Sequence, residues 1–143
     1  MTDPISVPLA ACRILLVDDY EPWRRYVSIV LQKHEGLQLV GEATDGLEAV
    51  QKAIELSPDL VLLDVGLPNL NGLEAAKRIR KEAPDVKLLF ATQTIDTEIM
   101  AEGLRNGAHG FIWKIDAALE LLPAIRAVRR GDKFVGTSSS KAK

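Results

Sequence analysis

Five short runs of Val, Ile and Leu punctuate the chain, at 13–17, 37–41, 60–63, 86–91 and 110–113, without clear alternation of apolar and polar residues. Unbroken apolar runs of this length are the pattern of strands buried on both faces, so a parallel sheet with helices on each side is expected. Helical spacing fills the gaps between them. Trp23, Tyr26, Val27, Val30 and Leu31 share one helical face, Arg24, Arg25, Ser28 and Gln32 point elsewhere, and Pro22 suits a first turn. The second helix is expected to turn Leu47, Val50, Ala53 and Ile54 inward and Glu48, Gln51, Lys52 and Glu55 outward, with Ser57-Pro58 ending it. A third presents Leu73, Ala76 and Ile79 between Gly72 and Pro84. The fourth, from about Ile95 to Asn106, has a broad stripe of Ile95, Ile99, Met100 and Leu104 and is weakened by Gly103. The fifth is placed at 119–130, with Pro123 either in its first turn or at a kink.

Regular strand-helix alternation predicts right-handed βαβ crossovers and an α/β, doubly wound, five-stranded parallel sheet. The flavodoxin-like order 2-1-3-4-5 is the natural arrangement for five strands, and it puts strands 1 and 3 on either side of the switch point. Strand 1 ends in Asp18 and Asp19, strand 3 in Asp64, strand 4 in Thr92 and strand 5 in Lys114. Ligands of such sheets bind beyond the carboxyl ends of the strands, so these side chains should converge.

The 143 residues fit one domain, folded over 13–135, with loosely ordered segments at 1–12 and 136–143. A net charge of -2 with scattered basic residues gives no footprint for direct nucleic-acid contact by this segment. Cys12 is the single cysteine, which excludes an internal disulfide and fits a reducing cytoplasm. Leu9-Ala10-Ala11-Cys12 has the look of a lipoprotein cleavage box, but Pro4 and Pro8 interrupt what precedes it and the basic start is missing. No apolar run approaches the roughly 20 residues that span a bilayer.

Carboxylates gathered at one edge repel one another by about 4 kcal/mol for a pair at 4 Å and an effective dielectric of 20, so something positive belongs among them. Mg²⁺ fits, because it favours oxygen ligands and is commonly held by one or two carboxylates plus phosphate oxygens. Lys114 can meet a phosphoryl oxygen, and Thr92 can donate its hydroxyl to one. Asp64, alone at the end of the central strand, is the candidate nucleophile, since a carboxylate forms an acyl phosphate directly. Phosphoryl transfer asks chiefly for alignment and charge stabilisation, which a divalent ion and a fixed lysine supply.

Val17-Asp18-Asp19, Asp64-Val65-Gly66-Leu67-Pro68-Asn69-Leu70-Asn71-Gly72, Ala91-Thr92 and Asn106-Gly107-Ala108-His109-Gly110-Phe111-Ile112-Trp113-Lys114 together resemble the successive signatures of a two-component response-regulator receiver domain. The resemblance implies that Asp64 accepts phosphate from a sensor histidine kinase. It implies that Asp19 and Asp64 bind Mg²⁺ with the Gly66 carbonyl, and that Asp18 supports the metal through water. Thr92 would be the switch hydroxyl and Phe111 the aromatic that turns inward on activation. Helix 4, strand 5 and helix 5 would be the response surface, and the broad apolar stripe of helix 4 with Met100 and Leu104 suggests homodimerisation through that face. Residues 122–128 and 131–135 are similar to the end of receivers that precede LuxR-type helix-turn-helix effectors, which links the chain to transcription regulation. The chain stops where such an effector would begin, as a stand-alone receiver or one cut at the linker would.

Several positions depart from the family pattern. Ile115 follows Lys114 where many receivers carry a cis proline, so that kink is not expected. Gln93 either crowds the site or bonds to the phosphoryl group, and Gly66 and Thr94 occupy positions that tune phosphoryl lifetime. Two rivals stand beside the switch. A haloacid-dehalogenase-like phosphotransferase would want a second aspartate where Gly66 stands, so a regulatory domain, able to catalyse its own phosphorylation and dephosphorylation, is expected rather than an enzyme. The other rival is a phosphorylation-independent interaction module, a degenerate receiver. Trp23 and Trp113 read as packing residues, and His34 and His109 as solvated surface histidines.

Overall fold

The structure, a computed structural model, describes residues 11–93 and 96–136. Six parallel strands form one sheet in the order β2-β1-β3-β4-β5-β6. They are β1 (Cys12–Val17), β2 (Leu37–Ala43), β3 (Leu60–Leu63), β4 (Lys87–Thr92), β5 (Gly110–Trp113) and β6 (Phe134–Val135), and the helices between them are α1 (Glu21–Gln32), α2 (Gly46–Leu56), α3 (Gly72–Glu82), α4 (Thr97–Arg105) and α5 (Ala117–Arg129). The predicted order of the first five strands is observed. The sixth was not foreseen, because two residues are too short to carry a period; Phe134 and Val135 pair with Gly110 and Phe111.

Strand alternation splits the core in two. Ile14, Leu16, Leu60 and Leu62 face α1 and α5, where they meet Trp23, Val27, Leu31, Leu121, Ile125 and Val128. Leu15, Val17, Val61 and Leu63 face α2, α3 and α4, where Ala49, Ala53, Ala75, Ala76 and Ile79 cover them. Both sets are buried, which explains why the strands read as unbroken apolar runs.

Some local expectations need correction. Leu47 and Ile54 do not point inward: they are 51% and 50% exposed, and Ala49 and Ala53 take the buried positions of α2. Pro123 lies well inside α5, which starts at Ala117 and not near Leu119. Its ring removes the hydrogen bond to the Leu119 carbonyl, and because both residues are exposed, water can serve that oxygen. α4 starts at Thr97, capped by the Asp96 carboxylate, which accepts from the amides of Glu98 and Ile99; Thr94 and Ile95 lie outside the described residues. So do most of the two terminal segments. Cys12 already belongs to β1, and Gly136 donates to the Phe111 carbonyl at 2.7 Å. No cis peptide bond occurs among the described residues, in line with Ile115 after Lys114. Nor is any helix among them long and apolar enough to cross a membrane.

An acidic site at the carboxyl edge of the sheet

Register alone brings the first two acids together. Val17 pairs with Leu63, and the ladder runs one step further, the Asp64 amide donating to the Val17 carbonyl at 3.1 Å. Asp18 and Asp64 therefore leave adjacent strands side by side, and one oxygen from each of Asp18, Asp19 and Asp64 lies within 4.8 Å of the others. The three differ in exposure: Asp18 is fully buried, Asp64 partly and Asp19 open to solvent. Asp18 does not cap α1, whose N-cap Tyr20 has no side-chain cap. Its Oδ1 accepts from the Tyr20 amide at 2.9 Å instead.

Lys114, delivered by the end of β5, reaches across this edge. Its Nζ is 2.6 Å from Asp18 Oδ2, 3.4 Å from Asp64 Oδ2 and 5.3 Å from the centroid of the Trp23 ring. Trp23 thus serves both as core and as the apolar wall beside the ammonium. Burial pushes the Asp18 carboxyl above its ordinary pKa, and the neighbouring Asp64 charge adds to the rise. Lys114 and the Tyr20 amide pull the other way and do not overcome it.

These residues fit a hard divalent cation. Three carboxylates against one ammonium leave a formal charge of minus two in one pocket. Asp18 Oδ2 is buried without a well-directed hydrogen bond, its contact with Lys114 being an ion pair. An all-oxygen donor set that keeps a net negative charge after pairing with its one ammonium is suited to such an ion. The Gly66 carbonyl accepts no backbone hydrogen bond among the described residues.

The loop from Asp64 to α3 is held by close backbone approach. A Cβ on Gly72 would lie 2.0 Å from the Asp64 carbonyl oxygen, and one on Gly46 would lie 1.8 Å from that of Leu70. The Gly72 amide donates to Val65, and Asn69, at φ 66, donates from its side chain to Asp45 at 2.9 Å. Asp64 Oδ1 accepts from the Val65 amide at 2.8 Å, which leaves Oδ2 toward Lys114. Arg24 also belongs to this frame: it bonds the Asp18 carbonyl at 2.9 Å and pairs with Glu42 at 3.0 Å. Nothing in the sequence marked it, since it reads as one more outward-facing cation of α1.

Thr92 ends β4 at the same edge, in register with Trp113 and 6% exposed. Phe111 is buried and stacks on Phe90 at 4.9 Å between centroids. Gln93 is exposed and lines an apolar groove with Tyr20, Pro22, Trp23, Tyr26, Lys114 and Ile115. His109 departs from expectation. Its Nδ1 accepts from the Leu88 amide at 3.1 Å, filling a ladder position that β5 starts too late to supply.

A doubly wound parallel sheet with three carboxylates and a lysine at its switch point defines an acidic-pocket α/β domain suited to a cation and a phosphoryl group. Residues 14–126 match the family model described as "Response regulator receiver domain". The chain is 37% identical to the transcriptional regulatory protein LiaR of Bacillus subtilis over 84% of its own length and 57% of LiaR. In structure it resembles a LuxR-family response regulator from Aurantimonas (TM-score 0.84, 30% identity, 93% of this chain and 94% of that one). It is likewise similar to the response regulator domain of Thermotoga maritima CheB (TM-score 0.79, 37% identity, 84% and 97%). The chain belongs to the response regulator receiver domains, regulatory modules of two-component signalling. It spans a little over half the length of the full regulators it matches.

Proposed function

We propose that the chain is a phosphoacceptor switch in which Asp64 receives a phosphoryl group from the phosphohistidine of a sensor kinase. The observation that carries this is Asp64 Oδ2, which faces Lys114 at 3.4 Å within the three-carboxylate cluster. Oδ2 attacks phosphorus, the phosphorus-nitrogen bond breaks, and the histidine nitrogen leaves with its electron pair. Lys114, now paired with the buried Asp18, turns to the arriving phosphoryl oxygens. Asp19, Asp64 and the Gly66 carbonyl, supported by Asp18, would hold Mg²⁺, which would supply charge neutralisation for this transfer. The Thr92 hydroxyl then bonds the phosphoryl group, and the inward Phe111 belongs to the same response.

The kinase must approach over the open carboxyl edge, and the exposed apolar groove of Tyr20, Tyr26 and Ile115 borders it. The output surface is α4, β5 and α5, which is also the face for a second copy. Met100 and Leu104, which suggested that contact, pack partly against the core, whereas Leu119 at 80% exposure stays open.

Intact mass spectrometry after incubation with Mg²⁺ and acetyl phosphate tests the reading. One added phosphoryl group on the wild type and none on Asp64→Asn is the expected result. An unmodified wild type would sink the proposal in favour of an inert interaction module, while turnover of unrelated phosphoesters would favour an enzyme.

A further inference from the structure

Away from the acids, where α3 and α4 end, Lys77, Arg80, Lys81, Arg105 and Asn106 line an open cleft of about 410 Å³. α3 starts at the carboxyl edge beside Asp64 and runs back along the sheet, so this cleft lies toward the opposite edge. Lys77 pairs with Glu74 at 3.1 Å. Arg80, Lys81 and Arg105 have no ion pair or hydrogen bond among the described residues, and all three are exposed.

Helix ends account for only part of this charge. Each helix carboxyl terminus carries about half a negative charge, which one cation offsets, yet three cations without an ion pair, Arg80, Lys81 and Arg105, stand in the last turns of two helices. Nor is Arg80 a freely swinging side chain. Gly107, at φ 99, closes the α4–β5 turn, and a Cβ there would stand 2.4 to 2.5 Å from Arg80 Cδ, Nε and Nη1. The bare glycine backbone therefore seats the Arg80 stem on the turn that follows Arg105. The positive field extends inward: besides burial, which is the larger cause, Lys87, Lys133 and Arg80 hold the His109 pKa below its ordinary value.

The lining contains no aromatic and no apolar side chain, so nothing in it would grip a base or a ring. Two guanidinium groups flanked by ammonium groups suit planar, bidentate contacts with phosphoryl oxygens, and the number of cations suits more than one such group. We propose that this cleft binds an anion with two or more adjacent phosphoryl groups, of the pyrophosphate and polyphosphate class. The proposal stands on the cleft and does not depend on the role of Asp64.

Calorimetric titration of the whole chain with sodium tripolyphosphate at low salt, without divalent ions, is the test. Saturable 1:1 binding by the wild type, weakened about tenfold or more in Arg80→Gln/Arg105→Gln, is the expected result. Asp64→Asn should bind as the wild type does, which separates this site from the phosphoacceptor. ATP should bind no more tightly than tripolyphosphate, since the cleft offers no wall for a base. Binding that disappears as sodium chloride is raised toward 0.5 M supports the proposal, because charge is the means of recognition. Absence of saturable binding overturns it, as does equal binding by the double variant. Tighter binding of an oligoglutamate peptide or of a single-stranded oligonucleotide than of tripolyphosphate overturns it too, by showing a different class of partner.

Discussion

The two faces of the sheet are packed by opposite means. On the α1/α5 face, large side chains such as Trp23, Leu31, Leu121 and Ile125 fill the space between helix and strand. On the α2–α4 face the buried helix positions are mostly small, namely Ala49, Ala53, Ala75, Ala76 and Gly103, so backbone comes close to backbone or ring. The first face holds the molecule together by volume. The second positions the Asp64 loop by proximity, and there a single added carbon does harm.

The widest gap should appear between two leucines given the same change. Leu31 is 1% exposed in the α1/α5 core and Leu47 is 51% exposed on α2. Leu31→Ala should cost about 2 to 5 kcal/mol in urea unfolding, through lost transfer energy and a cavity. Leu47→Ala should stay within about 0.5 kcal/mol. Equal losses would mean that the second face relies on volume after all.

The same contrast decides what the sequence could disclose. Strand order and the convergence of Asp18, Asp64 and Lys114 follow from apolar runs and their terminal charges, because crossover handedness leaves few topologies. Helix α1 was legible in Trp23, Val27 and Leu31, which it buries, whereas Tyr26, read on the same face, is 37% exposed because it lies at the margin of that face. α2 was misread in part, Ala53 being buried as expected, because hydrophobicity favoured Leu47 and Ile54 over Ala49, although sites of close approach select for small size. For the same reason Gly103 looked like a weakness of α4, when it is the residue that α4 buries. His109 and Arg24 escaped notice because each works through a single backbone contact that no spacing encodes.

Gly72→Ala strikes the second face at the site itself. Its new Cβ would lie 2.0 Å from the Asp64 carbonyl oxygen, a backbone atom that no rotamer change can move. A loss of about 3 kcal/mol is expected, at the upper end for overpacking. Phosphorylation by acetyl phosphate should also slow at temperatures where the protein remains folded. Unchanged labelling would show that the loop does not set the position of Asp64.

Gly103→Ala is a milder version. The added Cβ would come within 2.9 Å of Phe111 Cε2 and Cζ, the far end of a side chain that can yield. Better helix propensity offsets about 1 kcal/mol of the strain, so the net cost should be about 1 kcal/mol. A double-mutant cycle with Phe111→Leu measures the contact, and coupling below about 0.3 kcal/mol would remove Phe111 from the account. If Phe111 takes part in the response, Gly103→Ala should also alter acyl-phosphate lifetime.

The smallest effect is one of pH, and it arises at the join between the sheet and the α4–β5 turn. Neutral His109 accepts the Leu88 N–H on Nδ1, and a protonated imidazole cannot. Burial first, then the charges of Lys87, Lys133 and Arg80, hold its folded pKa below the ordinary 6.5. The unfolded chain therefore binds the proton more readily, and stability rises with pH across the window between the two values. The contribution is complete above the unfolded pKa, is lost as pH falls through the folded one, and changes no further below it. His109→Gln keeps an acceptor but cannot titrate, so its unfolding free energy should fall less than that of the wild type as pH drops from 8 to 5. Added salt should narrow the difference only in part, because it screens the lysines and arginine while leaving the burial cost. Identical slopes for the two proteins would remove His109 from the account.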